Sequence, residues 1–216
     1  DGLILSVTTE TQKLNEYKHI QQVINNQLPV VLFDRVTDTL NCCRITSDNY
    51  QGAFMAVEYF IDMGCKNIGV FVTNKDLGVV KERVKGALDV LENRGIKGRT
   101  KIFEISDIED DKSIKSYLKT YQLDAVFSVD ERLAIKIIKA AKQLNIEIPK
   151  ELKIIGFADG ILSKEYSPSL STVDLHAEKI GALAVSQIIE KISKEPLKNE
   201  QQEILVEVKP TLIHRE

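Results

Sequence analysis

The chain has 216 residues, of which 43% are hydrophobic and 28% are charged, and its formal net charge is −3. This length and composition are typical of a globular protein with one large or two small domains. The apolar runs are far shorter than the roughly 18 residues that a membrane span requires. The basic clusters are too short, and the net charge too negative, for a surface that binds nucleic-acid phosphates.

Six short apolar runs predict β-strands at Leu3–Leu5, Val30–Phe33, Ile68–Val72, Ile102–Ile105, Ala125–Val129 and Ile154–Phe157. Several of them lack polar alternation, which is typical of strands that are covered on both faces. Helical spacing predicts helices between them at about Leu14–Asn26, Gly52–Met63, Gly78–Arg94, Ser113–Thr120, Glu131–Leu144 and Glu178–Ile192. Ser47 or Asp48 is expected to cap the second helix, and Gly64 to end it. This alternation predicts parallel sheets with helices on both faces.

The segment Thr37–Thr46 breaks the alternation of strands and helices. It is typical of a loop followed by an extra short strand, after which a new series of strands begins. The sequence therefore favours two α/β subdomains over a single sheet.

Three cysteines, Cys42, Cys43 and Cys65, give an odd count with no Cys-x-x-Cys motif and no zinc-ligand spacing. Reduced thiols in a cytosol are the interpretation that this pattern favours, and no metal site is predicted.

Polar residues follow the predicted strands. They are Ser6 and Thr8, Asp34 and Arg35, Thr73 and Asn74, Ser106 and Asp107, Asp130 and Glu131, and Asp159. Ligands of open α/β sheets bind beyond the carboxyl ends of the strands, and this mixture of hydroxyls, carboxylates and a guanidinium suits a polyol such as a sugar. Two alternatives stay open, because strand ends that meet solvent are polar in any α/β protein and Asp130 is placed to cap the next helix.

Motifs for catalysis are absent. The chain has no Gly-x-Ser-x-Gly, no His-Glu-x-x-His and no glycine-rich phosphate loop, and none of its three histidines lies in a nucleophile setting. We therefore predict no catalytic residue and no cofactor, and we interpret the protein as a non-enzyme.

Several stretches resemble the lactose-repressor (LacI/GalR) family of transcription regulators, in the order in which that family has them. They are Asp1-Gly-Leu-Ile-Leu5, Pro29-Val-Val-Leu-Phe-Asp-Arg35, Ser47-Asp-Asn49 with Gly52-Ala53, Gly64-Cys-Lys-Asn-Ile68, Arg83-Val-Lys-Gly86, Asp130-Glu-Arg-Leu-Ala134, Pro149-Lys-Glu-Leu-Lys-Ile-Ile-Gly-Phe157, Pro168-Ser-Leu-Ser-Thr-Val173 and Val208-Lys-Pro-Thr-Leu-Ile-His-Arg215. Together these stretches span the whole chain.

The resemblance implies a type I periplasmic binding protein-like fold, in which two Rossmann-like parallel-sheet subdomains are joined by hinge crossovers and close around a small effector. The expected lobes are residues 1–64 with 175–207 and residues 65–174 with 208–216. Because the chain opens directly on a strand at Asp1, we interpret it as a fragment. The family's helix-turn-helix and the first two strands of its amino-terminal lobe are then missing.

The resemblance also assigns effector-binding residues. Arg83 matches an arginine that grips the effector, Asp130 matches a polar contact, Ile108 falls where an apolar wall stands, and Ser6 and Thr8 line the other lobe. The predicted set is completed by residues from two further stretches, Asp48 and Asp159.

One departure from the family bears on the effector. The family has Asp directly after Gly-Phe, whereas this chain has Ala158 there and Asp159 one position later. Adjacent residues at a strand end point in opposite directions, so Asp159 need not substitute. A carboxylated or phosphorylated sugar becomes a hypothesis beside a neutral one.

A homodimer is expected from the resemblance, with Lys164–Pro168 and neighbouring helices in its contact. Operator DNA is bound only through the missing amino-terminal domain, and the location is cytoplasmic. The alternative is a periplasmic sugar-binding protein of the same fold, and a sugar-modifying enzyme is the third interpretation.

Overall fold

The computed structural model describes residues 1–96, 100–158, 163, 167–193 and 204–215. Its strands are β1 (Leu3–Leu5), β2 (Val30–Phe33), β3 (Cys43–Ser47), β4 (Ile68–Val72), β5 (Thr100–Glu104), β6 (Ala125–Ser128), β7 (Lys153–Phe157), β8 (Ser171–Asp174), β9 (Leu205–Val208) and β10 (Thr211–Ile213). Its helices are α1 (Thr9–Leu14), α2 (Lys18–Asn25), α3 (Asn49–Asp62), α4 (Gly78–Asn93), α5 (Asp111–Tyr121), α6 (Glu131–Gln143) and α7 (Ala177–Ser193).

The described strands form two sheets in two compact units, which confirms the prediction of two parallel-sheet subdomains. The first unit comprises Asp1–Asp48, Asp76–Val79 and His176–Lys209. Its sheet has the strand order β1-β2-β3-β9, and every neighbouring pair is parallel.

Strand β2 shows how the first unit builds its core. Val30 and Leu32 pack in one apolar cluster with Ile20 and Ile24 of α2, while Val31 packs in another with residues of α7. Successive side chains of a strand point to opposite faces, so a continuous apolar run requires a helix on each face.

The second unit comprises Asn49–Lys75, Val80–Leu175 and Pro210–Glu216. Its strand order is β10-β8-β7-β6-β4-β5, in which β10 alone is antiparallel to its neighbour. All residues of β4 and β6 are buried, as their lack of polar alternation predicts.

The helix predicted over about Leu14–Asn26 is present as α2, but its predicted start is wrong. Helix α1 ends at Leu14, and α2 begins only at Lys18. Asn15 has a left-handed φ of 53°, and its N–H donates to the carbonyl of Gln12, which closes α1. The extra short strand that was predicted after Thr37 is β3, and Gly64, with φ of 81°, follows the end of α3 as predicted.

The predicted lobe boundary at Gly64 is also wrong, because α3 belongs to the second unit. Helices α3 and α4 are in very close contact: a Cβ built on Gly86 would lie 2.2 Å from the carbonyl oxygen of Tyr50. The first segment of the first unit therefore ends at Asp48, whereas Asp76–Val79, expected in the second lobe, groups with the first unit.

Among the described residues, none of the helices combines the length and the apolar character that a membrane span requires.

Candidate functional site

The second sheet reverses its direction of winding between β4 and β6. Strand β5 lies on one side of β4, and the chain then crosses to place β6, β7 and β8 successively on the other. In open α/β sheets, ligands bind beyond the carboxyl ends of the strands at such a switch point. The residues that follow β4 and β6 are Thr73 and Asp130, and the Thr73 hydroxyl donates to Asp130 Oδ2 at 2.7 Å.

Asp130 also caps helix α6, since its Oδ1 accepts from the N–H of Leu133 at 2.9 Å. The capping role that the sequence left open is therefore confirmed. These two hydrogen bonds fix a half-buried carboxylate at the switch point.

Arg83, on α4, reaches the same edge of the sheet. Its Nε donates to Asn49 Oδ1 at 2.8 Å, and its Nη1 donates to the carbonyl of Val129 at 2.6 Å. The residue is only 7% exposed, so Arg83 is not a solvent-exposed arginine of the helix surface. Its guanidinium carbon lies 3.9 Å from the centroid of the Phe157 ring, at the end of β7, which adds a cation–π contact.

The chemistry of this cluster suits a polar ligand. A guanidinium, a carboxylate and a hydroxyl are held at the ends of three neighbouring strands by contacts within the unit. The guanidinium can donate to hydroxyl, carboxylate or phosphate oxygens, whereas the carboxylate can accept from hydroxyls. Because the groups are positioned by packing, little order has to be gained when a ligand binds.

Ala158 follows Phe157 and is buried at 4% exposure, and its N–H donates to the carbonyl of Val173 at 3.2 Å. Asp159, predicted to contact the effector, lies outside the described residues, as do Lys164, Glu165 and Tyr166 of the expected dimer contact.

Ile108 lies in the loop between β5 and α5. It is half-buried and packs against the apolar core that α5 and α6 share with the second sheet. Asp110, two residues on, caps α5, and the hydroxyl and N–H of Ser113 lower the pKa of this carboxyl. The role of Ile108 as an apolar wall for the effector stays a prediction.

The remaining predicted residues belong to the first unit. Ser6 follows β1, and its buried Oγ has no hydrogen-bond partner among the described residues. Thr8 is exposed and caps α1, where its Oγ1 accepts from the N–H of Thr11 at 3.1 Å. Asp48 is half-buried after β3, and its N–H donates to the carbonyl of Val208 at 3.0 Å.

Two residues that contact Arg83, Asn49 and Phe157, were not predicted from the sequence. Asn49 stands in a stretch that matches the family, but nothing local marks it as the acceptor for an arginine 34 positions later. Phe157 ends a predicted strand, and its apolar character indicates only a core position.

The three cysteines form no disulfide bond, and all three are buried. Burial raises the pKa of the Cys43 and Cys65 thiols. Within the part of the chain that the structure describes, no group of three or more His, Cys, Asp or Glu residues is arranged to hold a metal ion.

Comparison with known proteins identifies a family and several relatives. Residues 57–216 match the family described as periplasmic binding protein-like domain. The ribose operon repressor of Halalkalibacterium halodurans is 30% identical over 206 residues, which cover 94% of this chain and 59% of that protein. The HTH-type transcriptional repressor PurR of Aliivibrio salmonicida is 28% identical over 197 residues, covering 89% and 58% respectively. The chain thus spans somewhat over half the length of these relatives.

Solved structures share the fold. The crystal structure of a LacI family transcriptional regulator of Enterococcus faecium with bound ribose superposes with a TM-score of 0.86 at 16% identity, covering 100% of this chain and 78% of that one.

Two parallel-sheet units, with polar residues gathered at the carboxyl ends of their strands, define an α/β domain of the ligand-binding class. The chain belongs to the periplasmic binding protein-like domain family, and its relatives within that family include transcriptional repressors of the LacI type. The resemblance to the lactose-repressor family is thereby confirmed.

Proposed function

We propose that this chain is the effector-sensing part of a LacI-type transcription regulator, and that its effector is a sugar or a sugar derivative. The observation that carries the proposal is the buried Arg83 beside the Thr73–Asp130 pair at the switch point of the second sheet. The names of the matching ribose operon repressor and of the ribose-bound Enterococcus regulator support a sugar as the ligand class.

The buried guanidinium of Arg83 is the group that we propose a ligand to contact. Burying a cation is costly, and the cost falls when further hydrogen bonds reach it. Asn49 and Val129 accept hydrogen bonds from the guanidinium, and its positive charge attracts anionic groups. A sugar that carries a carboxylate or phosphate gains more from this charge than a neutral one does.

The loss of the family carboxylate at Ala158 favours the same chemistry. A carboxylate there would accept from sugar hydroxyls, but it would repel an acidic ligand. Ser6, Thr8, Asp48 and Ile108 remain proposed effector contacts, and Asp159 is proposed with them although it lies outside the described residues.

The test is thermal denaturation of the full chain against a panel of neutral sugars, sugar acids and sugar phosphates. A ligand that binds only the folded state raises the free energy of unfolding, by about 2.7 kcal/mol at a ligand concentration of about 100 times its Kd. The melting temperature rises with it. We expect a shift with at least one sugar, and tighter binding of an acidic form than of its neutral parent in calorimetric titration.

Arg83→Lys should weaken that binding at least about tenfold, because lysine cannot donate from a planar fork. Arg132→Lys, on the exposed side of α6, is the matched control and should leave it unchanged. The proposal fails if no sugar shifts the melting temperature, or if both variants bind alike. Tight binding of a neutral sugar with no binding of its acid form would overturn the acidic effector alone.

In the complete regulator, effector binding is proposed to change operator affinity through a helix-turn-helix that lies outside this chain. The regulator is proposed to be a cytoplasmic homodimer without catalytic activity. Turnover of the bound sugar, followed by mass spectrometry, would contradict the last point, and a monomeric mass in sedimentation would contradict the dimer.

A further inference from the structure

A cavity lies within the second unit, at the opposite ends of its strands from Arg83. Its volume is about 460 Å³, within the range of small-molecule sites. The residues that line it include Lys153 at the start of β7 and Ser171 at the start of β8. Phe157, beneath Arg83, ends the strand that Lys153 begins, so the two sites are about 13 Å apart along β7.

Three basic side chains line this cavity, Lys153, His214 and Arg215. None of the described residues that line it is Asp or Glu. Among the described residues, the Lys153 ammonium makes no ion pair and no hydrogen bond. Glu216, the residue after Arg215, lies outside the described residues.

Arg215 is anchored by neutral oxygens. Its Nη1 donates to the carbonyl of Leu170 at 2.6 Å and to Thr172 Oγ1 at 3.0 Å, and its backbone N–H donates to Ser171 Oγ at 3.0 Å. In the part of the chain that the structure describes, no carboxylate pairs with this guanidinium. Among the described residues, the partners that fix the position of this guanidinium are neutral oxygens.

Apart from Ser169 and Ser171, the other residues that line the cavity are apolar or aromatic. Tyr59 and Phe60, near the end of α3, face it together with Ile148 and Ile155. The rings of Tyr59 and His214 pack at a centroid distance of 5.2 Å. An apolar wall beside basic side chains is complementary to a molecule with an apolar body and an anionic end.

From this complementarity we infer that the cavity is a second ligand site, and that it binds a small organic anion with an apolar or aromatic body. A neutral sugar suits it poorly, because the described lining has no side-chain carboxylate or amide to accept from hydroxyls. The inference is independent of the effector proposed for the Arg83 cluster, since no residue is shared between the two.

The experiment uses the full chain with four probes, which are benzoate, phenyl phosphate, benzyl alcohol and inorganic phosphate. Isothermal titration measures affinity, and amide chemical shifts of the ¹⁵N-labelled protein locate the site. We expect benzoate and phenyl phosphate to bind saturably, with the largest shifts at Lys153, His214 and Arg215. Benzyl alcohol lacks the negative charge, and inorganic phosphate lacks the apolar body. Each should therefore bind at least about fivefold more weakly.

Two variants test the charge. Lys153→Gln should weaken benzoate binding about fivefold, and Lys153→Glu should weaken it further. Lys150→Gln is the matched control, because Lys150 pairs with Glu147 at 3.0 Å on an exposed surface and does not line the cavity. It should stay within about twofold of the unchanged chain.

The inference is overturned if no anionic probe binds saturably, if benzyl alcohol binds as tightly as benzoate, or if all three variants bind benzoate alike. Equal affinity for inorganic and phenyl phosphate would equally overturn the role of the apolar wall. Shift mapping on the unchanged chain decides the location even if a variant fails to fold.

Discussion

The guanidinium of Arg83 lies over the ring of Phe157, with 3.9 Å between the guanidinium carbon and the ring centroid. The ring covers one face of the guanidinium, while Asn49 and Val129 accept from its edge. Asn49, Val129 and Phe157 belong to three separate segments of the chain, and all three contribute to the position of the Arg83 guanidinium.

Arg83→Lys is expected to destabilise the protein. A lysine ammonium cannot keep the directions of both hydrogen bonds, so a buried oxygen of Asn49 or Val129 loses its partner. An unsatisfied buried polar group costs about 1–3 kcal/mol, and urea denaturation should show a loss of that size. Arg132→Lys, at an exposed position of α6, should leave the urea midpoint unchanged. Equal midpoints for the two variants would contradict the arrangement described for Arg83.

Two glycine substitutions should have opposite effects on stability. Gly86→Ala would place a Cβ 2.2 Å from the backbone carbonyl oxygen of Tyr50, which cannot rotate away, so helices α3 and α4 would have to separate. We expect a loss of about 3 kcal/mol. Gly181→Ala, within α7, meets nothing within 4 Å and should stabilise the protein by about 0.5–1 kcal/mol. Urea denaturation of both variants measures the difference, and a Gly86→Ala protein as stable as the parent would refute the close approach.

Much of the fold could be predicted because its central strands carry a strong local signal. Strands β4 and β6 are buried throughout, and Ser128 is the one polar residue in them. Strands β9 and β10 escaped prediction because they are short and mostly exposed or half-buried. They depend on distant partners, since β9 pairs with β3 about 160 positions earlier. Local periodicity carries no information on such pairing.

The candidate site could be predicted in part for a similar reason. Asp130 follows a recognisable strand, and Arg83 stands in a stretch that resembles the family. Asn49 reaches Arg83 only because Gly86 lets α3 approach α4, which is a property of packing between helices. The boundary of the first unit was misplaced for the same cause, since the helix that contains Asn49 follows first-unit strands in sequence but packs on the second sheet.

The buried thiols should be unreactive in the folded protein. Desolvation raises the pKa of Cys43 and Cys65, so the reactive thiolate is rare near neutral pH. With a disulfide reagent at pH 8, we expect no rapid reaction without denaturant and three reactive thiols in urea. Rapid reaction of a thiol in the native protein would contradict this burial.

The same shift sets a direction for alkaline stability. A raised pKa means that the folded state holds the thiol proton more tightly than the unfolded state does. The corresponding stability is fully present below the unfolded thiol pKa and is lost as pH rises through that value toward the folded pKa. Cys65→Ser, compared with the parent in urea melts at increasing alkaline pH, should remove part of this pH dependence. An unchanged slope would contradict the assignment to Cys65.

Substitutions of Asp130 can separate its capping role from the proposed contact with the effector. Asp130→Ala removes the acceptor for the Leu133 N–H and the Thr73 hydroxyl, and should cost about 1–2 kcal/mol in urea denaturation. Asp130→Asn keeps an amide oxygen that caps almost equally well, so its stability should stay close to that of the parent. A neutral amide is a weaker acceptor than a charged carboxylate. If the carboxylate accepts from an effector hydroxyl, Asp130→Asn should therefore lower the affinity for the sugar that raises the melting temperature of the parent. Asp130→Asn with both stability and affinity intact would leave Asp130 as a helix cap alone and would move the proposed recognition of hydroxyls to other residues of the cluster.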